Sequence, residues 1–416
     1  MNILSEVRAH FQADIRGALP PRVGVALSGG GDSMALLHLL TRCFQGHQVE
    51  ILAATVDHGL REGSAQEARQ VAAIASRMAV DHEILLWQGW QGEGNLQDQA
   101  RRARYRLLGD WAQRRQIPVL ALGHTADDQA ETVLMRLARS AGVDGLAAMP
   151  QRRALNEITL LRPLLKVTRA QLRSYLTQND LTWVEDPSNQ DRRFERVRLR
   201  QAMKDLAPLG LTIESLSAVA ENMAKAKEAL DLIAFKLARE LAQTICGGVA
   251  FDEVRLRDQP DEIIHRLLSG ALRWVSGAEY PLRRRVMGKA LDVVRRGGGL
   301  TLGGCRILSR RGQIWVCREY NAVRNEVAPA DAVWDKRWCF QGGDPQQLEQ
   351  RPLGQAGLLL CPDWRDSGCP RELLEATPAL WRNQQLIAAP LAKMANGWTV
   401  NAVISDEEFY TGLLSH

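Results

Sequence analysis

The chain has 416 residues and only seven cysteines, with no pattern among them. Cys43, Cys246, Cys305, Cys317, Cys339, Cys361 and Cys369 are scattered, odd in number and free of any Cys-x-x-Cys pair. That spacing excludes a disulfide framework, a zinc ribbon and an iron–sulfur motif. No apolar run approaches the roughly 20 residues of a membrane span, so no membrane partner is expected. Met1–Phe11 lacks the apolar core of a signal peptide, which predicts a cytoplasmic protein. Repeats and low-complexity tracts are also missing. What remains is 45% hydrophobic and 24% charged residues, ordinary for a globular protein. The length predicts two or three domains.

Against that plain background one segment stands out. Ser28-Gly29-Gly30-Gly31-Asp32-Ser33 lies between the apolar runs Val23–Leu27 and Met34–Leu40. The first run reads as a buried strand and the second as a helix. Glycines between them permit unusual dihedrals and let a ligand approach the main chain. The helix start adds unpaired N–H donors and the positive end of the dipole. The segment therefore reads as an anion cradle. It is not a Walker A loop, because no Gly-Lys-Ser/Thr follows.

Strand and helix signals alternate through the first half. Strands are expected at Val49–Thr55, Glu83–Trp87 and Pro118–Leu122. Helices are expected at Ser64–Ala79, Leu96–Arg115 and Asp127–Arg139, and again after Thr168, with capping boxes at Ser64/Glu67 and Thr168/Gln171. Such alternation implies a doubly wound, parallel α/β sheet with helices on both faces. Ligands of such sheets bind at the carboxyl ends of the strands. The Ser28 loop, Asp57-His58 and Gly123-His124 all fall at such ends and are expected to share one crevice. A long alanine-rich helix at Thr212–Gln243 reads as a connector. The expected organisation is a catalytic domain over 1–206, a helical connector over 207–245, and two smaller domains over 246–320 and 333–416. The glycines Gly297–Gly299 and Gly303–Gly304 read as turns of a hairpin.

Charge carries a second signal. The net charge is +5. Arginines cluster at 101–115, at 192–200 (Arg192, Arg193, Arg196, Arg198, Arg200) and at 283–296. The planar guanidinium suits phosphate, so nucleic acid becomes a candidate partner. Beside the crevice, Asp127 and Glu131 are four apart and share a helix face. With Asp32 they offer the oxygen ligands that Mg²⁺ takes near phosphates. His58 and His124 are placed to contact a base or handle a proton.

Six segments resemble the bacterial tRNA(Ile)-lysidine synthetase family, within the PP-loop ATP pyrophosphatases. They are Ser28–Ser33, Asp57–Arg61, Ala100–Tyr105, Gly123–Thr132, Leu161–Leu165 and Glu185–Asn189, in the family's order. The second half is similar only in layout. One departure is Val197, where the family often carries asparagine after the acidic loop.

The resemblance implies an adenine nucleotide alpha hydrolase-like fold. It implies ATP and Mg²⁺ as cofactors, and a CAU-anticodon tRNA(Ile) and free L-lysine as substrates. It implies a two-step ligation, in which a wobble cytidine is adenylated and then joined to the lysine amine. Ser28, Gly29, Gly30, Gly31, Asp32, Ser33, Asp57, His58 and His124 would hold ATP. Asp32, Glu131, Arg101 and Arg104 would be catalytic. Asp32, Asp127 and Glu131 would hold the metal, and the 192–200 arginines would bind tRNA, as would both smaller domains. The oligomeric state stays open, with a homodimer as one candidate. tRNA thiolation, a metabolic synthetase using the same loop, and a non-catalytic RNA- or nucleotide-binding protein are the rival readings.

Overall fold

The computed structural model describes residues 3–12, 19–59, 63–88, 96–155, 157–184, 195–278, 280–282 and 284–414. The chain divides into two compact units, Met1–Lys227 and Glu228–Ser415.

In chain order the first unit holds α1 (Ile3–Gln12), β1 (Arg22–Ala26), α2 (Gly31–Cys43), β2 (Glu50–Asp57), α3 (Ser64–Arg77), β3 (Asp81–Leu86), α4 (Leu96–Arg114) and β4 (Val119–Leu122). It continues with α5 (Ala126–Leu137), α6 (Val143–Leu146), β5 (Arg152–Leu155), β6 (Ile158–Leu161), α7 (Arg169–Gln178) and α8 (Glu195–Leu206). The sheet order is β3-β2-β1-β4-β6-β5. β3, β2, β1, β4 and β6 run parallel, and β5 closes the edge antiparallel to β6. The expected parallel α/β sheet is what the chain forms.

Alternation along β1 explains the two layers. Val23, Val25 and Leu27 pack with α1, α2, α3 and α7 on one face. Ala26 packs with Leu108 and Trp111 of α4 on the other. Gly24 also faces α4, and a Cβ there would sit 2.9 Å from the Trp111 ring. Each added side chain at that point would displace the indole.

The strand order reverses direction at β1 and β4, so the turns that follow them diverge and leave a crevice. Element bounds match the sequence expectation within a few residues. One cap does not: Gly63, at φ 96°, is the N-cap of α3 and Ser64 is already helical, so no Ser64/Glu67 box forms. The Thr168/Gln171 box does form, with Gln171 N–H donating to Thr168 Oγ1 at 3.2 Å.

The helix α9 (Ile213–Leu241) forms where the long alanine-rich helix was expected, and the division between the two units falls within it. That unit continues with β7 (Ala242–Ile245), β8 (Gly248–Asp252), α10 (Glu253–Arg257), α11 (Asp261–Ser276), α12 (Arg284–Arg296), β9 (Gly299–Leu302), β10 (Cys305–Arg310) and β11 (Gln313–Arg318). These strands form an antiparallel sheet in the order β7-β8-β11-β10-β9. Gly303 and Gly304, both at positive φ, turn β9 into β10 as expected. The remainder is α13 (Tyr320–Val323), β12 (Ala328–Pro329), β13 (Trp338–Gln341), β14 (Glu349–Pro352), α14 (Gly354–Leu359), α15 (Arg371–Leu374), β15 (Pro378–Arg382), β16 (Gln385–Ala388), β17 (Thr399–Ala402) and α16 (Asp406–Thr411). Two further sheets, β12-β14-β15-β16 and β13-β17, complete it. Among the described residues no helix is long and apolar enough to cross a membrane.

Candidate active site

The turn after β1 is held in shape by its own serines. Ser33 Oγ donates to Gly30 O at 2.9 Å and accepts from Ser28 N–H at 3.1 Å. Gly29 takes φ 81°, a left-handed conformation open to glycine at little cost. Gly30 is the N-cap of α2 and is extended, with no side chain capping the helix. The first-turn N–H groups are thus presented by a rigid turn rather than consumed by a cap. From the neighbouring turn Gly123 comes so close that a Cβ would lie 3.0 Å from Ser33 Cα. From beyond α7, Val184 N–H donates to Gly29 O at 2.9 Å and straps the turn from outside.

These parts line a cleft of about 670 Å³ within the first unit. That volume is in the range of small-molecule sites. Ser28, Gly30, Gly31, Asp32 and Ser33 form one wall, and Gly123 and His124 another. Arg104, Arg196 and Arg200 enter it as cations. Arg196 and Arg200 are one turn apart on α8 and share the cleft face, whereas Arg198 points to solvent. Arg192 and Arg193 lie outside the described residues, as do most of the acidic loop and Leu60-Arg61. Val197, where asparagine was the family pattern, is buried at 6% exposure.

The carboxylates converge on a residue the sequence reading passed over. Arg169, the first residue of α7, pairs through Nε with Asp32 at 3.1 Å, through Nη1 with Glu131 at 2.9 Å and through Nη2 with Asp128 at 2.6 Å. Its backbone N–H donates to Asp127 Oδ2 at 2.8 Å. Arg200 Nε adds a second cation on Glu131 at 2.6 Å. Glu131 is 2% exposed, and its other oxygen, Oε2, is buried with no hydrogen-bond partner among the described residues. Asp127 and Glu131 do share a face, but α7 and α8 cover it. Asp128, not singled out from the sequence, caps α5 through Thr125 and reaches Arg169 with its other oxygen. The signal for Arg169 was its place: a basic residue directly after a capping threonine, where helix dipoles favour acids.

Electrostatics follow from this crowding. Burial raises the Asp32 carboxyl, an effect that Arg169 opposes and Asp128 reinforces. Burial also acts against the Asp128 carboxylate, yet Arg169 and the Thr125 N–H hold it below the usual range. His124 is pushed down to about 3, first by burial and then, against Asp128, by Arg162, Arg104 and Arg196. It is therefore neutral at physiological pH. Burial also lowers Arg104.

The other expected residues sit farther out. Asp57 accepts from Gly59 N–H at 2.9 Å and shapes its turn. His58 packs edge-on against Trp87, with ring centroids 5.6 Å apart, and its pKa is lowered by burial and by Arg104. Neither lines the cleft, and Arg101 stacks over Tyr105 on the exposed side of α4. Trp183 and Arg173 do line it and were not foreseen. Cys43 is buried in α2 with its thiol pushed up by burial to about 11, so it presents no reactive thiolate.

Comparisons with known proteins agree with this geometry. The PP-loop domain family matches residues 4–206. The tRNA(Ile)-lysidine synthase of Ruegeria pomeroyi is 51% identical over 407 residues, which is 98% of this chain and 97% of that protein. The protein of the same name from Wolbachia pipientis wMel is 31% identical, over 89% of this chain and 88% of its own length. That of Methylobacterium nodulans is 40% identical over 68% of this chain and 86% of its own length. An anion-binding turn at the switch point of a parallel sheet, the acid–arginine cluster beside it and end-to-end similarity lead to one assignment: the chain belongs to the tRNA(Ile)-lysidine synthase family.

Proposed function

We propose that this protein ligates free L-lysine to the 2-carbon of the wobble cytidine in a tRNA(Ile) with a CAU anticodon. The cytidine 2-oxygen attacks the α-phosphorus of ATP and pyrophosphate leaves. The lysine amine then attacks the activated carbon, and AMP leaves with the oxygen. The product, lysidine, pairs with A in place of G and changes AUG reading to AUA reading.

The observation that carries this reading is the meeting of anion turn, arginines and carboxylates in one cleft. The Gly30–Ser33 backbone stabilises charge building on the departing pyrophosphate. Arg104, Arg196 and Arg200 add cations around it, with Arg101 and the 192–200 arginines guiding the anticodon loop. A single-stranded loop can extrude its base into such a crevice at modest cost. An amine with a reference pKa of about 10.4 is neutral to roughly one part in a thousand or less at pH 7. Asp32 and Glu131 would accept its proton, Asp32 from the cleft wall and Glu131 from behind Arg169 and Arg200.

Hard oxygen donors and the unsatisfied Glu131 Oε2 fit Mg²⁺. Asp32 and Glu131 would hold it, with Asp127 through the oxygen that does not accept from Arg169. When bound it neutralises phosphate charge. The connector over 207–245 would link the catalytic domain to tRNA-binding domains over 246–320 and 333–416. The enzyme would act in the cytoplasm.

The test is mass spectrometry of tRNA nucleosides after incubation with ATP and isotopically labelled lysine. A labelled lysine adduct on cytidine is expected. Unmodified cytidine from a folded protein, or sulfur in place of lysine, would overturn the reading.

A further inference from the structure

Arg169 spends every nitrogen of its guanidinium on a different carboxylate. Its main chain is tied as well, through Asp127. Its side chain is 19% exposed, on the cleft wall rather than in the core. Its three acceptors come from two separate strand–helix junctions of the sheet. Asp32 comes from the turn after β1, and Asp128 and Glu131 from α5 after β4. Among the described residues no three His, Cys, Asp or Glu side chains stand as a ready metal cage. The acids of the cleft close on the guanidinium instead.

We propose that Arg169 is a positioning residue that serves as a built-in counter-cation. It occupies the acidic pocket in the nucleotide-free protein and keeps a free divalent cation out, so that metal enters only together with the triphosphate. This rests on reading the cleft as a metal–ATP site. The phosphates offer the guanidinium a replacement partner within the same cleft, and a bidentate arginine–phosphate contact is a strong one. The carboxylates then become available. A positive charge within a few ångströms of a would-be metal position opposes binding strongly, and removing it must favour the metal. An arginine that merely holds the fold together predicts the opposite, since losing it would loosen the pocket and weaken every ligand.

The experiment is Mn²⁺ binding to the full-length protein by electron paramagnetic resonance, without nucleotide. Arg169→Gln is expected to bind Mn²⁺ about tenfold more tightly than wild type, while its turnover falls. Arg169→Lys keeps the charge but reaches fewer acids, and its Mn²⁺ affinity should rise only about threefold. This second variant keeps the test decisive if Arg169→Gln fails to fold by circular dichroism. A folded variant that binds Mn²⁺ no more tightly than wild type overturns the proposal. A parallel titration with Mn²⁺ and α,β-methylene-ATP separates the two levels. If wild type binds that pair and the variants show no gain with metal alone, the counter-cation role fails and the metal–ATP reading stands. If neither wild type nor variants bind the pair, the metal–ATP reading fails and takes this proposal with it.

Discussion

Arg169 in the first unit and Arg266 in the second each meet more than one carboxylate, in different settings. Arg266 on α11 pairs with Asp231 of α9 and with Glu262 one turn back, at 3.1 Å for the latter. Arg266 and Asp231 are both buried, among the apolar side chains that join α9 and α11. Arg169 gathers its three acids at the edge of an open cleft. In the second unit the pair is sealed in, so losing either member removes a buried counter-charge. In the first, Arg169 and Asp32 stand on the cleft wall, with Asp128 and Glu131 buried behind them. Similar side chains thus make a fully buried joint in one unit and a cluster whose guanidinium lies on a cleft wall in the other.

The sharpest way to break this contrast is Asp32→Ala. Pyrophosphate release with lysine and tRNA should fall at least about a hundred- to a thousandfold. tRNA affinity and the denaturation midpoint should stay near wild type. If that variant instead loses as much stability as a core lesion, the cleft cluster is a structural lock and the contrast disappears. Asp231→Ala should behave in the opposite way. Removing this buried counter-charge of Arg266 is expected to cost about 3–5 kcal/mol, read from denaturant unfolding of the second unit.

A smaller effect concerns the RNA face. tRNA affinity should drop steeply with salt, and Arg198→Ala should lower the log–log slope by about one contact. A slope unchanged by that variant would remove Arg198 from the backbone-contacting set.

The smallest effect is acid stability. In the first unit, burial lowers His10, His38, His58, His82 and His124. Below about pH 6.5 the unfolded chain takes up protons that folded His124 refuses until about pH 3. Its contribution to stability is therefore present above pH 6.5 and is lost as pH falls through that window. His124→Gln should flatten the decline of the melting temperature between pH 6.5 and 4. An unchanged pH profile would show that the ring titrates alike in folded and unfolded chains.

How far the sequence could be read differs between the fold and the site. The strands and helices of the first unit were legible because each signal is local: an apolar run, a cap, a glycine turn. Ser64 misled because a glycine one residue earlier could take the left-handed N-cap conformation. Within the site, the Ser28–Ser33 turn was legible for the same local reason. Arg169 was not, because it lies 137 residues from Asp32 and its meaning depends on which strands stand side by side. Asp128 was overlooked in favour of Asp127, since helical spacing gives a shared face but not what covers it. Asp57 and His58 were placed at the right strand end, yet their turn packs on Trp87 and stays outside the cleft.

What the sequence by itself determined was the set of local elements and the anion turn, because strand, helix and glycine preferences act within a few residues. What only the tertiary structure decided was the partner of each charge. Coulomb interactions and burial depend on distances through space, and the parallel sheet order is what brings α2, α5, α7 and α8 around a single cleft.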